Sequence, residues 1–363
     1  MKQLLWKTTL IFMFSMTISS CIGKNSTQSS KSTQNDFTVG TSVSVFDESI
    51  WVIYQDKSSN FWFGSKENGV FRYDGRNLIR YTTEDGLTGD QIRGIQEDAL
   101  GNIYFETTNG ISQFDGESFR TLKIDENSPA PHPWQWGAND LWFSPGYQGR
   151  GPLRFDGERL YSHEFPESPR EDAFAKMYPN VTHSPYGIYS IFKDNKGHIW
   201  FGTSDLGIYR FDGETISYLY EKQLTQTPGG GAFGIRSIAE DSNGYIWICN
   251  SNYKYEILQD TIRHEGLAQM RYNRLPGIKS RESENQYYLS IVADEDGHLW
   301  MLTYDNGIWK NDGNNLVHYP LKDGNKEVKL LSIYKDNQGD FWLGTAQSGV
   351  FKFNGESFEK FEP

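Results

Sequence analysis

The sequence predicts an all-β protein, a seven-bladed β-propeller made of four-stranded antiparallel blades. The chain repeats one phrase, which reads HIWFGTSDLGIYRFDGETISYLY at residues 198–220 and recurs closely at 60–81 and 340–361. Aromatic residues make up 15% of the composition and 36 glycines supply turns, whereas long helical patterns are absent. A strand-forming phrase with a period in the forties is typical of propellers.

The chain begins with a segment that does not belong to the repeats. Lys2 and Lys7 precede a short apolar run, and residues 18–21 read ISSC, which resembles the bacterial lipobox. The resemblance implies a lipoprotein signal peptide at 1–21, with lipidation of Cys21 after cleavage. An ordinary secretory signal with a chance cysteine is the alternative. We therefore expect a lipid-anchored protein of the cell envelope, outside the cytoplasm and, in a Gram-negative host, at the outer membrane.

The next segment, residues 22–36, is polar and almost free of apolar side chains, so it predicts a flexible tether. We assign residues 37–363 to the propeller. The second cysteine, Cys249, has no expected disulfide partner, because Cys21 has another role. The formal net charge of −12 argues against a nucleic-acid partner, since no basic cluster offsets the repulsion from phosphates. We expect a monomer without a cofactor.

Seven copies of the phrase align on one aromatic residue each, at intervals of 38 to 58 residues. These residues are Trp62, Tyr104, Trp142, Trp200, Trp247, Trp300 and Trp342. Residues that recur in most copies serve the blade itself, so we expect these aromatic side chains to be core.

Each copy contains four strand-like segments, which in copy four are residues 187–193, 198–203, 207–211 and 215–219. Asp-x-x-Gly joins the first segment to the second in several copies, and Asp-Gly or Asn-Gly joins the third to the fourth in six. Asp accepts hydrogen bonds from its own turn and Gly takes a positive φ, so both motifs predict tight hairpins. In the first segment, Ile stands three residues before the turn Asp in six copies, which predicts strands buried on both faces.

The pattern I-x-x-D-x-x-G-x-I-W-x-G-T-x-x-x-G-I-x-R-F-D-G resembles the two-component regulator propeller repeat, over residues 48–363. Copies one, four and seven match this pattern closely, copies two and six match it well, and copies three and five match it poorly. In that family such repeats form the periplasmic ligand-sensing part of histidine kinases and hybrid sensors. Nothing in this sequence resembles a kinase, a transmembrane helix or a DNA-binding output domain. The resemblance therefore implies a ligand-binding, sensor-type protein without catalytic or kinase output.

We expect the functional face where the pattern breaks, because variable loops on a rigid scaffold usually carry binding sites. The long connections are residues 122–136, 165–187, 220–234 and 266–287, together with the loop 144–151. Side chains at the start of the first strands lie near the axis on that face. The candidate ligand-binding residues are Trp51, Arg93, Trp134, Trp136, Tyr189 and Arg236. Aromatic rings and guanidinium groups suit a sugar, an organic acid or a peptide. Packing between blades is the alternative for each of them.

Two other functions stay open on the sequence. The loop face could dock a membrane signalling or transport protein, which would make the chain a protein-docking scaffold. Streptogramin lyases have a similar propeller, and a lyase would use His132 or His183 as its base. No nucleophile motif or metal-ligand spacing is present. The acidic turn at 294–297 is the best calcium candidate, but its equivalents vary too much to specify an oxygen cage, so we expect no metal.

Overall fold

The repeats fold as small antiparallel sheets in the computed structural model, which describes residues 39–125, 134–146, 148–225, 234–264, 267–278 and 288–363, without the side chains of 259–264. The first sheet consists of β1 (Thr41–Val43), β2 (Ile50–Gln55), β3 (Phe61–Ser65), β4 (Val70–Tyr73) and β5 (Leu78–Tyr81). A 3-10 turn at Thr83–Asp85 follows. The second sheet consists of β6 (Ile92–Glu97), β7 (Ile103–Thr107), β8 (Gly110–Phe114) and β9 (Phe119–Leu122). In both sheets consecutive strands of the copy are neighbours.

Copy three forms a three-stranded sheet of β10 (Leu141–Phe143), β11 (Leu153–Phe155) and β12 (Leu160–Ser162). The sequence predicted four strands in every copy, and three are observed in the described part of copy three. Most residues equivalent to the first strand of the other copies lie outside the described residues, so a fourth strand there stays a prediction. Residues 134–140, which precede β10, form no strand. These residues lack the alternation of apolar and polar side chains and the Asp-x-x-Gly turn that define the first hairpin of other copies.

Copies four and five share one eight-stranded sheet, because β16 pairs in parallel with β20. Its strands are β13 (Ile188–Lys193), β14 (Ile199–Thr203), β15 (Ile208–Phe211), β16 (Ile216–Leu219), β17 (Ile238–Glu240), β18 (Ile246–Ile248), β19 (Tyr253–His264) and β20 (Leu267–Pro276). Helices α1 (Glu171–Met177) and α2 (Lys222–Thr225) precede and follow the strands of copy four. The observed strands of copy four agree with the predicted segments to within one residue.

Copies six and seven return to four strands each. Their strands are β21 (Tyr288–Ala293), β22 (Leu299–Thr303), β23 (Ile308–Asn311) and β24 (Leu316–Tyr319), a short hairpin of β25 (Lys322–Asp323) and β26 (Lys326–Glu327), and then β27 (Leu330–Lys335), β28 (Phe341–Thr345), β29 (Val350–Phe353) and β30 (Phe358–Lys360). The protein is therefore all-β apart from short helices, as predicted. Neither α1 nor α2, nor any other helix among the described residues, is long and apolar enough to cross a bilayer.

One hydrogen-bonded unit explains why the turn Asp and the aligned aromatic residue recur together. In copy four, Asp194 accepts the backbone N–H of His198 at 2.8 Å on one oxygen and the indole N–H of Trp200 at 2.9 Å on the other. Copies one, two, five, six and seven form the same pair, with Tyr104 supplying a hydroxyl in copy two. All seven aligned aromatic side chains are at most 4% exposed, which confirms that they are core.

The sheets pack so closely that the second strand often requires glycine. A Cβ on Gly202 would lie 2.4 Å from the carbonyl oxygen of Ile235 in the next copy, and one on Gly344 would lie 2.5 Å from that of Ile50. Gly64 is equally crowded by Ile92. Glycine therefore recurs where the first strand of the next copy passes over this position.

The last copy closes directly against the first. Gln55 donates its backbone N–H to the Tyr334 hydroxyl at 3.0 Å and accepts the N–H of Asn337 at 2.8 Å. The Phe61 and Trp342 rings lie 4.6 Å apart between centroids. β1 pairs in the antiparallel sense with β5, the outer strand of the first sheet. The compact unit runs from Thr38 to Pro363.

The remaining predictions on the N-terminal part, the signal peptide, the Cys21 lipidation and the tether, lie outside the described residues. Cys249 is a buried, free cysteine. Burial raises the pKa of its thiol to about 11, which keeps it protonated and unreactive at neutral pH.

Candidate ligand-binding site

The residues five positions before each turn Asp surround one cavity of about 810 Å³, here called the axial cavity. They are Trp51, Arg93, Tyr189, Arg236, Leu289 and Leu331. Each lies in the first strand of a different copy, except Arg236, which lies two residues before β17. Four of the six predicted ligand-binding residues are therefore brought together by the fold. Their common position in the repeat is the reason, because equivalent residues of a propeller point to the same axis.

The axial cavity combines aromatic faces with positive charge. The Arg236 guanidinium lies 4.8 Å from the centroid of the Tyr189 ring, in cation–π contact. The Arg93 guanidinium lies beside Gly146 in the loop of copy three, where a Cβ on this glycine would be 3.2 Å away. The charged residues that line the cavity are these two arginines and Glu106. Such a lining can bind a small molecule that offers a flat or apolar face and an anionic group.

Trp134 and Trp136 do not line the axial cavity. Trp134 stacks on Trp142 and Phe165, with ring centroids 6.0 and 5.7 Å away. Trp136 lies against the tight turns of copy four: its indole nitrogen is 3.0 Å from an ideal Cβ on Gly213. The structure thus places both side chains in the packing between copies three and four.

A second cavity of about 590 Å³, here called the lateral cleft, opens between β6 and β13. It lies over the edge of β10 on which the first strand of copy three would pair. The lateral cleft and the axial cavity share several lining residues, including Arg93, Glu106, Ser144 and Tyr189. The two cavities therefore meet, and the axial cavity extends sideways at copy three.

Glu106 and Gln96 face this edge of β10. Gln96 donates its amide to the carbonyl oxygen of Trp142 at 2.7 Å, and Glu106 accepts the backbone N–H of Ser144 at 3.2 Å. The Gln96 amide also contacts Glu106 at 3.3 Å. Two side chains thus satisfy backbone groups that a neighbouring strand satisfies in other copies.

Glu106 is the acidic residue most altered by its surroundings. It is 9% exposed, and burial raises the pKa of its carboxyl group to about 7, against the opposing effects of the Ser144 and Gln96 hydrogen bonds and of the Arg93 charge. Sequence reasoning missed this residue. The signal was present, since Glu106 occupies the repeat position of Gly64, Gly202 and Gly344.

His183, one of the two histidines proposed as the base of a lyase, does not line the axial cavity. His183 contacts Asp205 through Nε2 at 2.9 Å, and the Ser204 hydroxyl donates to the same carboxylate at 2.7 Å. His132 lies outside the described residues. Among the described residues that line the axial cavity there is no histidine. His198 and His298 contact their turn aspartates at 3.0 and 3.2 Å and so belong to the turns.

Asp294, Asp296 and His298 bring three potential metal-ligand atoms within 4.8 Å of one another. One Asp294 oxygen accepts the His298 N–H at 2.8 Å, and the other accepts the Trp300 indole at 3.0 Å. Equivalent aspartates serve the same turn in the other copies. The group is explained as a structural turn that happens to be acidic.

With this fold and geometry described, comparison with known proteins identifies the class of repeat. The sequence model of the family described as two component regulator propeller matches residues 183–205 and 234–252. These segments hold the first two strands of copies four and five. Two segments of the chain therefore match this repeat model, which confirms the resemblance predicted from the sequence. No curated protein sequence matches the chain.

Solved structures show the same fold at low sequence identity. The extracellular domain of BT4673 from B. thetaiotaomicron, described as a hybrid two component system, has a TM-score of 0.60 at 18% identity, over 89% of this chain and 40% of that chain. That of BT3049, from the same organism, has a TM-score of 0.58 at 17% identity, over 88% and 41%. Virginiamycin B lyase from Staphylococcus aureus has a TM-score of 0.56 at 14% identity, over 86% and 97%. The chain spans about two fifths of the two sensor domains.

Proposed function

We propose that this protein is an extracytoplasmic, membrane-anchored ligand-binding propeller of the sensor type, without catalytic or kinase output of its own. The axial cavity carries the proposal. Six copies contribute the same repeat position to it, yet two of the six residues are arginines and two are aromatic. Arg93 and Arg236 place two guanidinium groups beside aromatic rings in one cavity, a combination that suits a flat or anionic ligand.

Two further observations support the proposed extracytoplasmic location of the protein and its sensor class. The similar structures of BT4673 and BT3049 are described as extracellular domains of two component systems. The lipobox-like ISSC at residues 18–21 would hold the protein at a membrane on a polar tether. In that setting, the ligand is a sugar, an organic acid or a peptide, and its binding would be passed on to a membrane signalling or transport protein.

The test is a calorimetric and thermal-shift screen of sugars, organic acids and short peptides against the wild type, Arg93→Ala and Arg236→Ala. Each arginine variant should weaken binding of a discovered ligand by about 1–3 kcal/mol, the range for a lost charged hydrogen bond. Folding should survive, because Arg93 is half-buried and Arg236 is exposed to the cavity. Arg76→Ala, in an exposed turn, is the matched control. Unchanged binding in both cavity variants would place the site elsewhere.

A further inference from the structure

The lateral cleft is a built feature of copies two and three. In copies one, four and seven, glycine in the second strand leaves room for the first strand of the adjacent copy. Beside the second strand of copy two, the described residues of copy three form no such strand, and Glu106 fills part of the space. Gly94 accommodates the carboxylate, since a Cβ at this position would lie 2.8 Å from the Glu106 carboxyl carbon.

Gln96 departs from the repeat in the same place. Its equivalents in the first strands of other copies are Tyr54, Phe192, Ala239, Val292 and Tyr334. Two polar replacements in one copy therefore face the single edge that needs them. Because Gln96 and Glu106 already satisfy the edge of β10, the cleft is shielded against the addition of a peptide strand. Its remaining volume suits a small molecule.

The joined cavities are lined by charges of both signs. Glu106 is a buried carboxylate, and each of its oxygens accepts one hydrogen bond, which leaves further acceptor positions. A buried carboxylate is stabilised by a cationic partner. Arg93 lines the same cleft and Arg236 lines the axial cavity; guanidinium groups pair with carboxylates through two parallel hydrogen bonds.

We propose that the ligand is a zwitterionic small molecule, an amino acid or short peptide, whose ammonium group lies against Glu106 in the lateral cleft and whose carboxylate lies against Arg93 or Arg236. This inference rests on the proposed function and narrows the ligand class of the same site. Glu106 is then the residue that determines specificity for the amine.

The experiment is isothermal calorimetry of the full mature chain with the twenty amino acids and a set of di- and tripeptides, each hit paired with its N-acetylated form. Glu106→Gln keeps the shape of the side chain and an acceptor for the Ser144 N–H, but removes the charge. Glu117→Gln, an exposed carboxylate, is the matched control. N-acetylation and Glu106→Gln should each weaken binding at least tenfold. Their effects should not add, because both remove the same ion pair.

The outcomes separate the two proposals. Amine-bearing hits that bind Glu106→Gln as tightly as the wild type would overturn the inference. Binding of sugars or organic acids alone, with loss in the arginine variants, would overturn it while leaving the proposed function intact. Absence of binding across all three compound classes would contradict the proposed function, and this inference with it. Circular dichroism of Glu106→Gln checks that loss of binding is not loss of the fold.

Discussion

Replacing Glu106 by glutamine should change how the stability of the protein depends on pH. The carboxyl group is almost completely buried, and its pKa rises from 4.5 to about 7 on folding. Below pH 4.5 the group is protonated in both states and contributes equally to each. Between pH 4.5 and 7 the unfolded chain loses the proton that the folded protein keeps, so the free energy of unfolding falls as pH rises.

The magnitude follows from the size of the pKa change. At about 1.4 kcal/mol per pKa unit, the wild type should lose about 3 kcal/mol of stability through this group by pH 8. Glu106→Gln has no proton to lose. Relative to the wild type, the variant should therefore gain about 3 kcal/mol between pH 4.5 and pH 8.

Urea unfolding followed by tryptophan fluorescence, at half-unit steps of pH, measures this difference. Other carboxylates titrate in the same range, so the difference between the two proteins is the informative quantity. Glu117→Gln corrects for the loss of one negative charge. A difference between wild type and Glu106→Gln that stays constant from pH 4.5 to 8 would refute the assigned burial of Glu106 and the reasoning built on it.

Three further predictions concern the ring and its anchor. Trp200→Ala should lower the free energy of unfolding by about 3–5 kcal/mol through a core cavity. The Trp200 side chain is 1% exposed and donates a hydrogen bond to Asp194. A loss of under about 1 kcal/mol, as expected for an exposed residue, would contradict this prediction. Deleting residues 328–363 should abolish cooperative melting, since it removes the sheet that closes on the first copy, and a truncated protein that melts near the wild-type temperature would count against closure. Cys21→Ala should shift the protein from the membrane fraction to the soluble fraction; a wild type that is already soluble would disprove the lipid anchor.

The candidate site was predictable only in part. Trp51, Arg93, Tyr189 and Arg236 could be placed together from sequence, because one repeat position always faces the axis. Trp134 and Trp136 could not be placed this way, because residues 134–140 do not repeat the pattern that aligns the other copies. Residue type alone did not distinguish a tryptophan at the axis from one stacked between neighbouring sheets.

The sequence by itself determined the repeat, its hairpins and the buried aromatic residues. Those features depend on contacts between residues close in sequence, such as the hydrogen bond that the Trp200 indole donates to Asp194. They therefore recur wherever the same residues recur. Tertiary structure alone decided which side chains lie against the edge of β10. Glu106 is an unremarked acidic residue in the sequence, and it becomes a buried carboxyl group because the fold packs it against Ser144, nearly forty residues later. Burial and pKa are set by such distant neighbours, which a local pattern does not contain.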